Sequence, residues 1–92
     1  MIRSFRHKGL KRFFEADNRS KLRRDLVERI ADILATLDAG ETIKAMDRVS
    51  YRLHPLKGEL SGYWAVTVRA NWRFIFQFTE GDAHSVDLVD YH

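Results

Sequence analysis

The chain has 92 residues, of which 45% are apolar and 32% charged, with no cysteine and a net charge of +3. That length supports one small core rather than two, so a single domain over residues 1–92 is expected. The lack of cysteine excludes a disulfide framework, a thiolate nucleophile and a cysteine zinc site, and fits a reducing cytosol.

No apolar run approaches the roughly 18 residues of a membrane span, and the basic start MIRSF has no apolar stretch behind it. A soluble, unexported cytoplasmic protein is therefore expected. The charge is segregated along the chain. The first 24 residues hold nine basic side chains, among them Lys8, Lys11, Arg12, Lys21, Arg23 and Arg24, against only Glu15 and Asp17. This segment nets +7 and the remainder −4. Such a patch is the footprint of a polyanion, with phosphate backbones first in line, and its plain alternative is a solvated helix face.

In chain order, Met1 to Phe5 alternates as an opening strand, and His7 to Glu15 puts Leu10, Phe13 and Phe14 on one side of a short helix. From Ser20, Leu22, Leu26, Ile30, Ile33, Leu34 and Leu37 recur at helical spacing, which predicts a helix capped by Ser20 and ended by Gly40. Glu41 to Val49 is ambiguous, and Tyr51 to Gly58 reads as an extended segment running into a loop, because Pro55 biases His54 away from helix. Trp64, Val66 and Val68 then alternate with Ala65 and Thr67, and Trp72, Phe74, Phe76 and Phe78 alternate with Arg73, Ile75 and Gln77. These are two strands joined by a tight turn.

A three-residue loop of Arg69, Ala70 and Asn71 sorts the apolar faces together, with Asn71 as the left-handed residue. Glu80-Gly81-Asp82 is a second turn, and His84 to Tyr91 is the last strand. The order implies an α+β fold, with two N-terminal helices on one face of a small, mostly antiparallel sheet. Trp72, Phe74, Phe76 and Phe78 face the helices, and Arg73 and Gln77 point out of the opposite face.

That outward face is where polar groups can converge: His54 and Lys57 at a strand end, Arg73 on the hairpin, and Asp90-Tyr91-His92 at the terminus. Metal-free RNA cleavage needs a base for the ribose 2′-hydroxyl, a cation for the charged phosphorane and an acid for the leaving 5′-oxygen, and this set contains all three. Each member also has a plain structural use, in a loop, a turn or a cross-strand pair, and spacing alone does not bring them together. Asn71, at the hairpin tip, has a side-chain amide that matches N7 and N6 of adenine, so it serves either as a turn residue or as a base reader. His7, His54, His84 and His92 lack paired metal-ligand spacing, and no glycine-rich phosphate loop or nucleophile elbow appears, so no metal or cofactor is expected.

The run Leu53-His54-Pro55-Leu56-Lys57-Gly58, the stretch Gly62-Tyr63-Trp64, the segment Thr67 to Phe74 with Phe76, and the terminal Asp90-Tyr91-His92 closely resemble the HigB toxins of bacterial toxin-antitoxin systems, in the RelE/ParE superfamily. The resemblance covers essentially the whole chain and implies helices packed against a curved antiparallel sheet. It further implies an mRNA endoribonuclease acting in the A site of the 30S ribosomal subunit, with His54, Lys57, Arg73, Tyr91 and His92 lining the active site. Which histidine is base and which is acid stays open. The implied partners are the ribosome with its mRNA, on which the basic patch would dock, and a HigA-type helix-turn-helix antitoxin. Two readings compete with this one: a non-catalytic ParE-like gyrase inhibitor, whose relatives lack the set of basic residues, and a plain RNA-binding module.

Overall fold

A computed structural model describes residues 1–90. Helix α1 (Lys8–Ala16) is followed by a 3-10 turn (Arg24–Leu26), helix α2 (Val27–Ala39), two further 3-10 turns (Ile43–Met46 and Val49–Tyr51) and the short strand β1 (His54–Pro55). Strands β2 (Trp64–Arg69), β3 (Trp72–Thr79) and β4 (Asp82–Asp90) complete one antiparallel sheet in the order β1-β2-β3-β4. The expected α+β class is observed. The helices, however, sit inside the chain order rather than at its N-terminus, because the opening residues come first and run beside β4. That segment is no full strand: among the described residues it makes two parallel bridges, Ile2 to Ala83 and Phe5 to Val86.

Both helices bury one stripe against one face of the sheet. Leu10 and Phe13 of α1 and Ile30, Ile33, Leu34 and Leu37 of α2 form one core with Val66, Phe74, Phe76, Val86 and Leu88. The alternation in β3 works as expected, with Trp72 and Phe78 half-buried at the margins of that core. Phe14 departs from expectation: it is 37% exposed and packs on Phe5, with ring centroids 5.7 Å apart.

The second helix starts six residues later than its apolar spacing implies, at Val27 with Leu26 in the cap position. Ser20 is not a cap; its own N–H donates to the Asn18 side chain at 3.0 Å in a local turn, and Arg23 is extended at ψ 133°. Leu22 still packs on the core from that turn, so its fit to the helical period reflects burial and not helix. At the other end Gly40 does terminate α2, as expected.

The hairpin between β2 and β3 also differs. Arg69 pairs with Trp72 across a two-residue loop, and the left-handed residue is Ala70, at φ 51°, rather than Asn71. A register shift between Thr67 and Arg69 inserts Val68 as a bulge, so that Val66 meets Phe74 and Thr67 meets Arg73. The bulge sorts the faces, which a longer loop was expected to do. A second shift, at Ser85 (φ 54°), lies in β4, where the Ser4 hydroxyl accepts the Ser85 N–H at 2.8 Å. The β3–β4 turn is Glu80-Gly81 with both φ positive, the type I′ geometry that favours glycine at its second position, and Asp82 already pairs with Thr79.

Arg29 ties the segment before β1 to the sheet. Its guanidinium donates to the Ser50 carbonyl at 2.7 Å, to the Ser50 hydroxyl at 3.3 Å and to the Thr67 carbonyl at 3.0 Å, and it lies 4.8 Å from the centre of the Tyr51 ring. The Tyr51 hydroxyl donates to Asp32, and burial, reinforced by that carboxylate, raises its pKa above 10.0. Arg29→Ala is expected to cost about 1–3 kcal/mol, because two carbonyls lose a charged donor beside the bulge. Thermal melting checks this, at roughly 4–8 °C per kcal/mol for a domain of this size; an unshifted transition would show the bridge to be idle.

Candidate active site on the open face of the sheet

Cross-strand partners share a face, so the register defines rows on the side of the sheet opposite the helices. One row runs His54, Ala65, Ile75, Asp87, and the next runs Thr67, Arg73, Val89. His54 and Arg73 therefore stand on the same open face, two strands or roughly 10 Å apart across the sheet and one row apart along it.

Each is held by its own stretch of chain. Arg52 adopts a left-handed conformation (φ 52°), and its carbonyl lies 2.9 Å from His54 Nδ1. Because a carbonyl only accepts, Nδ1 carries the proton in this contact and the neutral ring keeps its lone pair on Nε2. The exposed Nε2 can thus take a proton from a ligand on the open face. Arg73 Nη1 donates to the Ala70 carbonyl at 2.6 Å and to the Trp72 carbonyl at 3.2 Å, which anchors the guanidinium at the base of the hairpin turn. The left-handed Ala70 is the residue whose carbonyl makes this anchor, so turn geometry and cation placement are one feature.

Lys57 is exposed beyond β1 and precedes the turn Gly58–Leu60, where Gly58 (φ 71°) has open space around its α-carbon. Asn71 is exposed at the hairpin tip beside a groove of about 320 Å³. Arg23 forms part of that groove: it lies 5.8 Å from the Trp72 ring and grips Asp25 through two bonds of 3.1 Å, while Arg69 approaches the same carboxylate at 3.5 Å. Asp90, the last described residue of β4, is opposite Trp72. Tyr91 and His92 lie outside the described residues.

The rest of the basic N-terminal segment divides between two further grooves. Lys8, Arg12 and Lys21 share a cleft of about 600 Å³ with Arg6 and Asp87, at the β4 side of the open face. Gly9 makes that convergence possible, since a β-carbon there would stand 2.8 Å from the Lys21 β-carbon and 2.8 Å from the His7 ring. Arg24 instead lines a second groove, of about 690 Å³, with Arg19 and Arg69. Lys11 is exposed on α1 and lines neither. Tyr63 belongs to a stretch that carries the resemblance but has no site role in the sequence reading, yet its hydroxyl accepts from Arg6 Nη1 at 3.5 Å. Its alternation with the inward-facing Trp64 is the sequence signal that puts it on the open face.

Residues 3–92 match the family described as the RelE-like toxin of the type II toxin-antitoxin system HigB. Endoribonuclease HigB of Proteus vulgaris is 50% identical over 92 residues, covering 100% of both chains. Two solved structures share the fold at low identity. YafQ from E. coli strain BL21(DE3) superposes with a TM-score of 0.66 at 19% identity, covering 98% of this chain and 91% of its own. YoeB-YefM, a heterotetrameric toxin-antitoxin complex from Staphylococcus aureus, contains a chain with a TM-score of 0.63 at 18% identity, covering 100% of this chain and 95% of its own. Among the described residues no helix is long and apolar enough to cross a membrane.

Proposed function

This chain belongs to the family of RelE-like HigB toxins of type II toxin-antitoxin systems, and from that premise we propose that it is a ribosome-dependent endoribonuclease, cutting mRNA in the A site of the 30S subunit of a bacterial cytoplasm. The observation that carries this reading is the full-length 50% identity to an endoribonuclease, joined to a histidine and an arginine on one open sheet face.

In the proposed reaction His54 Nε2 removes the proton from the ribose 2′-hydroxyl, and that oxygen attacks the adjacent phosphorus. Lys57 and Arg73 hold the phosphate and offset the charge that grows on its oxygens. His92 gives a proton to the departing 5′-oxygen, leaving a 2′,3′-cyclic phosphate and a 5′-hydroxyl, with no metal or cofactor required. Tyr91 stacks on a base beside the cut, and the ribosome supplies much of the orientation. The tautomer set by the Arg52 carbonyl favours His54 as the base.

Asn71 is proposed to read adenine through its amide. Its rival role, as the left-handed residue of the turn, belongs to Ala70 instead. A HigA-type helix-turn-helix antitoxin is proposed as the neutralising partner, in line with the toxin-antitoxin assembly of the YoeB relative.

Incubating mRNA with the purified chain, with and without ribosomes, tests the reading. Cleavage only on ribosomes supports it. Cleavage of free RNA, or none in either arm, overturns it in favour of a free ribonuclease or a non-catalytic relative. A companion test addresses docking. Neutralising Lys8, Lys11, Arg12, Lys21, Arg23 and Arg24 in groups is expected to weaken ribosome association and to flatten its salt dependence, as fewer counterions are released. The group Lys8, Arg12 and Lys21, which shares one cleft, is expected to flatten it most. An unchanged salt slope would make these side chains a solvated face.

A further inference from the structure

Two residues outside the proposed catalytic set meet over the open face. Arg6 follows Phe5, which bridges to Val86 at the outer edge of β4, whereas Tyr63 leads into β2. Strands β3 and β4 lie between them, a span of about 14 Å at ordinary strand spacing. Phe5 and Trp64 pack against the core, so their neighbours Arg6 and Tyr63 emerge on the opposite side. The Arg6–Tyr63 bond therefore requires both side chains to lean inward over the sheet.

Beneath them the floor is apolar. Ala65 and Ile75 are 1% and 2% exposed although no helix covers this face, and they stand in one row with His54 and Asp87. Leu56 N–H donates to the Tyr63 carbonyl at 2.9 Å, so Tyr63 is one row beyond His54, on the side away from Arg73. A bond of 3.5 Å between two such partly solvated tips is at the weak limit of hydrogen bonding and opens at little cost. An aromatic ring and a guanidinium over an apolar floor are the means by which proteins hold single-stranded nucleic acid, the ring against a base and the cation against the backbone. The Asp87 carboxylate closes the row at its β4 end, in the cleft that Arg6 also lines, and His54 stands at the other end, next to Tyr63.

We propose that Tyr63 and Arg6 hold the nucleotide next to the scissile phosphate, Tyr63 by stacking on its base and Arg6 by pairing with its phosphate. The inference rests on the open face being the RNA-cutting face. Arg73 and the Arg6–Tyr63 pair then grip the strand on either side of His54, and Tyr63 and Arg6 act as substrate-positioning residues.

Cleavage kinetics on purified ribosome complexes with an mRNA codon in the A site test this with four variants of the full chain, each checked by thermal melting. Tyr63→Leu is expected to raise KM about tenfold or more, with kcat within roughly threefold of the parent, since a stacked base is lost while the reacting groups stay. Tyr63→Phe and Tyr63→Trp keep a ring and are expected to stay within roughly twofold on both constants. Arg6→Gln is expected to raise KM and to reduce the salt slope by about 0.7, the contribution of one single-strand phosphate contact. If Tyr63→Leu keeps the parent KM, or if Tyr63→Phe is as impaired as Tyr63→Leu, the ring does not stack and the inference falls. Should Tyr63→Leu not fold, Tyr63→Trp and Arg6→Gln carry the decision: an impaired Tyr63→Trp or an unmoved Arg6→Gln overturns it. A parent chain that cuts nothing on ribosomes sinks the activity itself, whereas a parent that cuts and variants that match it sink only this role.

Discussion

Arg73→Ala is expected to reduce ribosome-dependent cleavage by about a hundredfold to a thousandfold, the scale seen when one preorganised donor to a developing anion is removed. Arg73 emerges from the face opposite Phe74 and Phe76, so the core does not lose a contact. The turn does lose two bonds, to the carbonyls of Ala70 and Trp72. Both lie at an exposed or half-exposed hairpin end where water replaces the donor, so the stability cost is about 0.5–1.5 kcal/mol. Toxicity in growing cells is expected to be lost, and kcat in purified complexes to fall by that factor, while the melting temperature falls by only several degrees. Arg73→Lys separates charge from shape: an ammonium keeps the cation but cannot reproduce the planar fork or its turn anchor, so activity between the two is expected. A Lys variant as active as the parent would mean that charge alone suffices. An Ala variant that still cuts would remove Arg73 from the reaction.

How much of this site was legible in advance depends on the range over which each feature is encoded. The alternation from Trp72 to Phe78 is local, and it correctly put Arg73 on the open face. The hairpin loop differs from expectation because the alternation demands an extra residue somewhere between Val68 and Trp72, and periodicity does not say whether that residue enters as loop or as bulge. Val68 takes it up within the strand, and the positive φ moves to Ala70. Helix α2 is shorter than its spacing implies for a similar reason: Leu22 packs half-buried on the core at the expected spacing, but from a turn held by Asn18. The Arg6–Tyr63 contact joins residues 57 positions apart, and the Ser4–Ser85 contact joins residues 81 apart; no local pattern encodes either. Charge segregation is visible in the sequence, yet the side chains divide among three grooves, and the one that holds Lys21 depends on Gly9 letting that segment approach α1.

The assignment of base and acid makes the other large effect. Deleting His92 and replacing His54 by Ala are each expected to slow cleavage by roughly a hundredfold or more, the scale of a single general acid or base, with ribosome binding retained. Equal losses in rate would not say which residue does what, but the pH profile does. A base works only when deprotonated, so it shapes the acidic limb of a bell-shaped profile; an acid works only when protonated and shapes the alkaline limb. His54 donates through Nδ1 to the Arg52 carbonyl and presents Nε2 with its lone pair. His54→Ala is therefore expected to flatten the acidic limb and His92 deletion the alkaline one. The reverse pattern would exchange the two roles. A His92 deletion with parent-like rate would transfer the acid step to a ribosomal group, and a His54→Ala variant with an unaltered acidic limb would mean that the Arg52 contact serves only to fold the chain into β1.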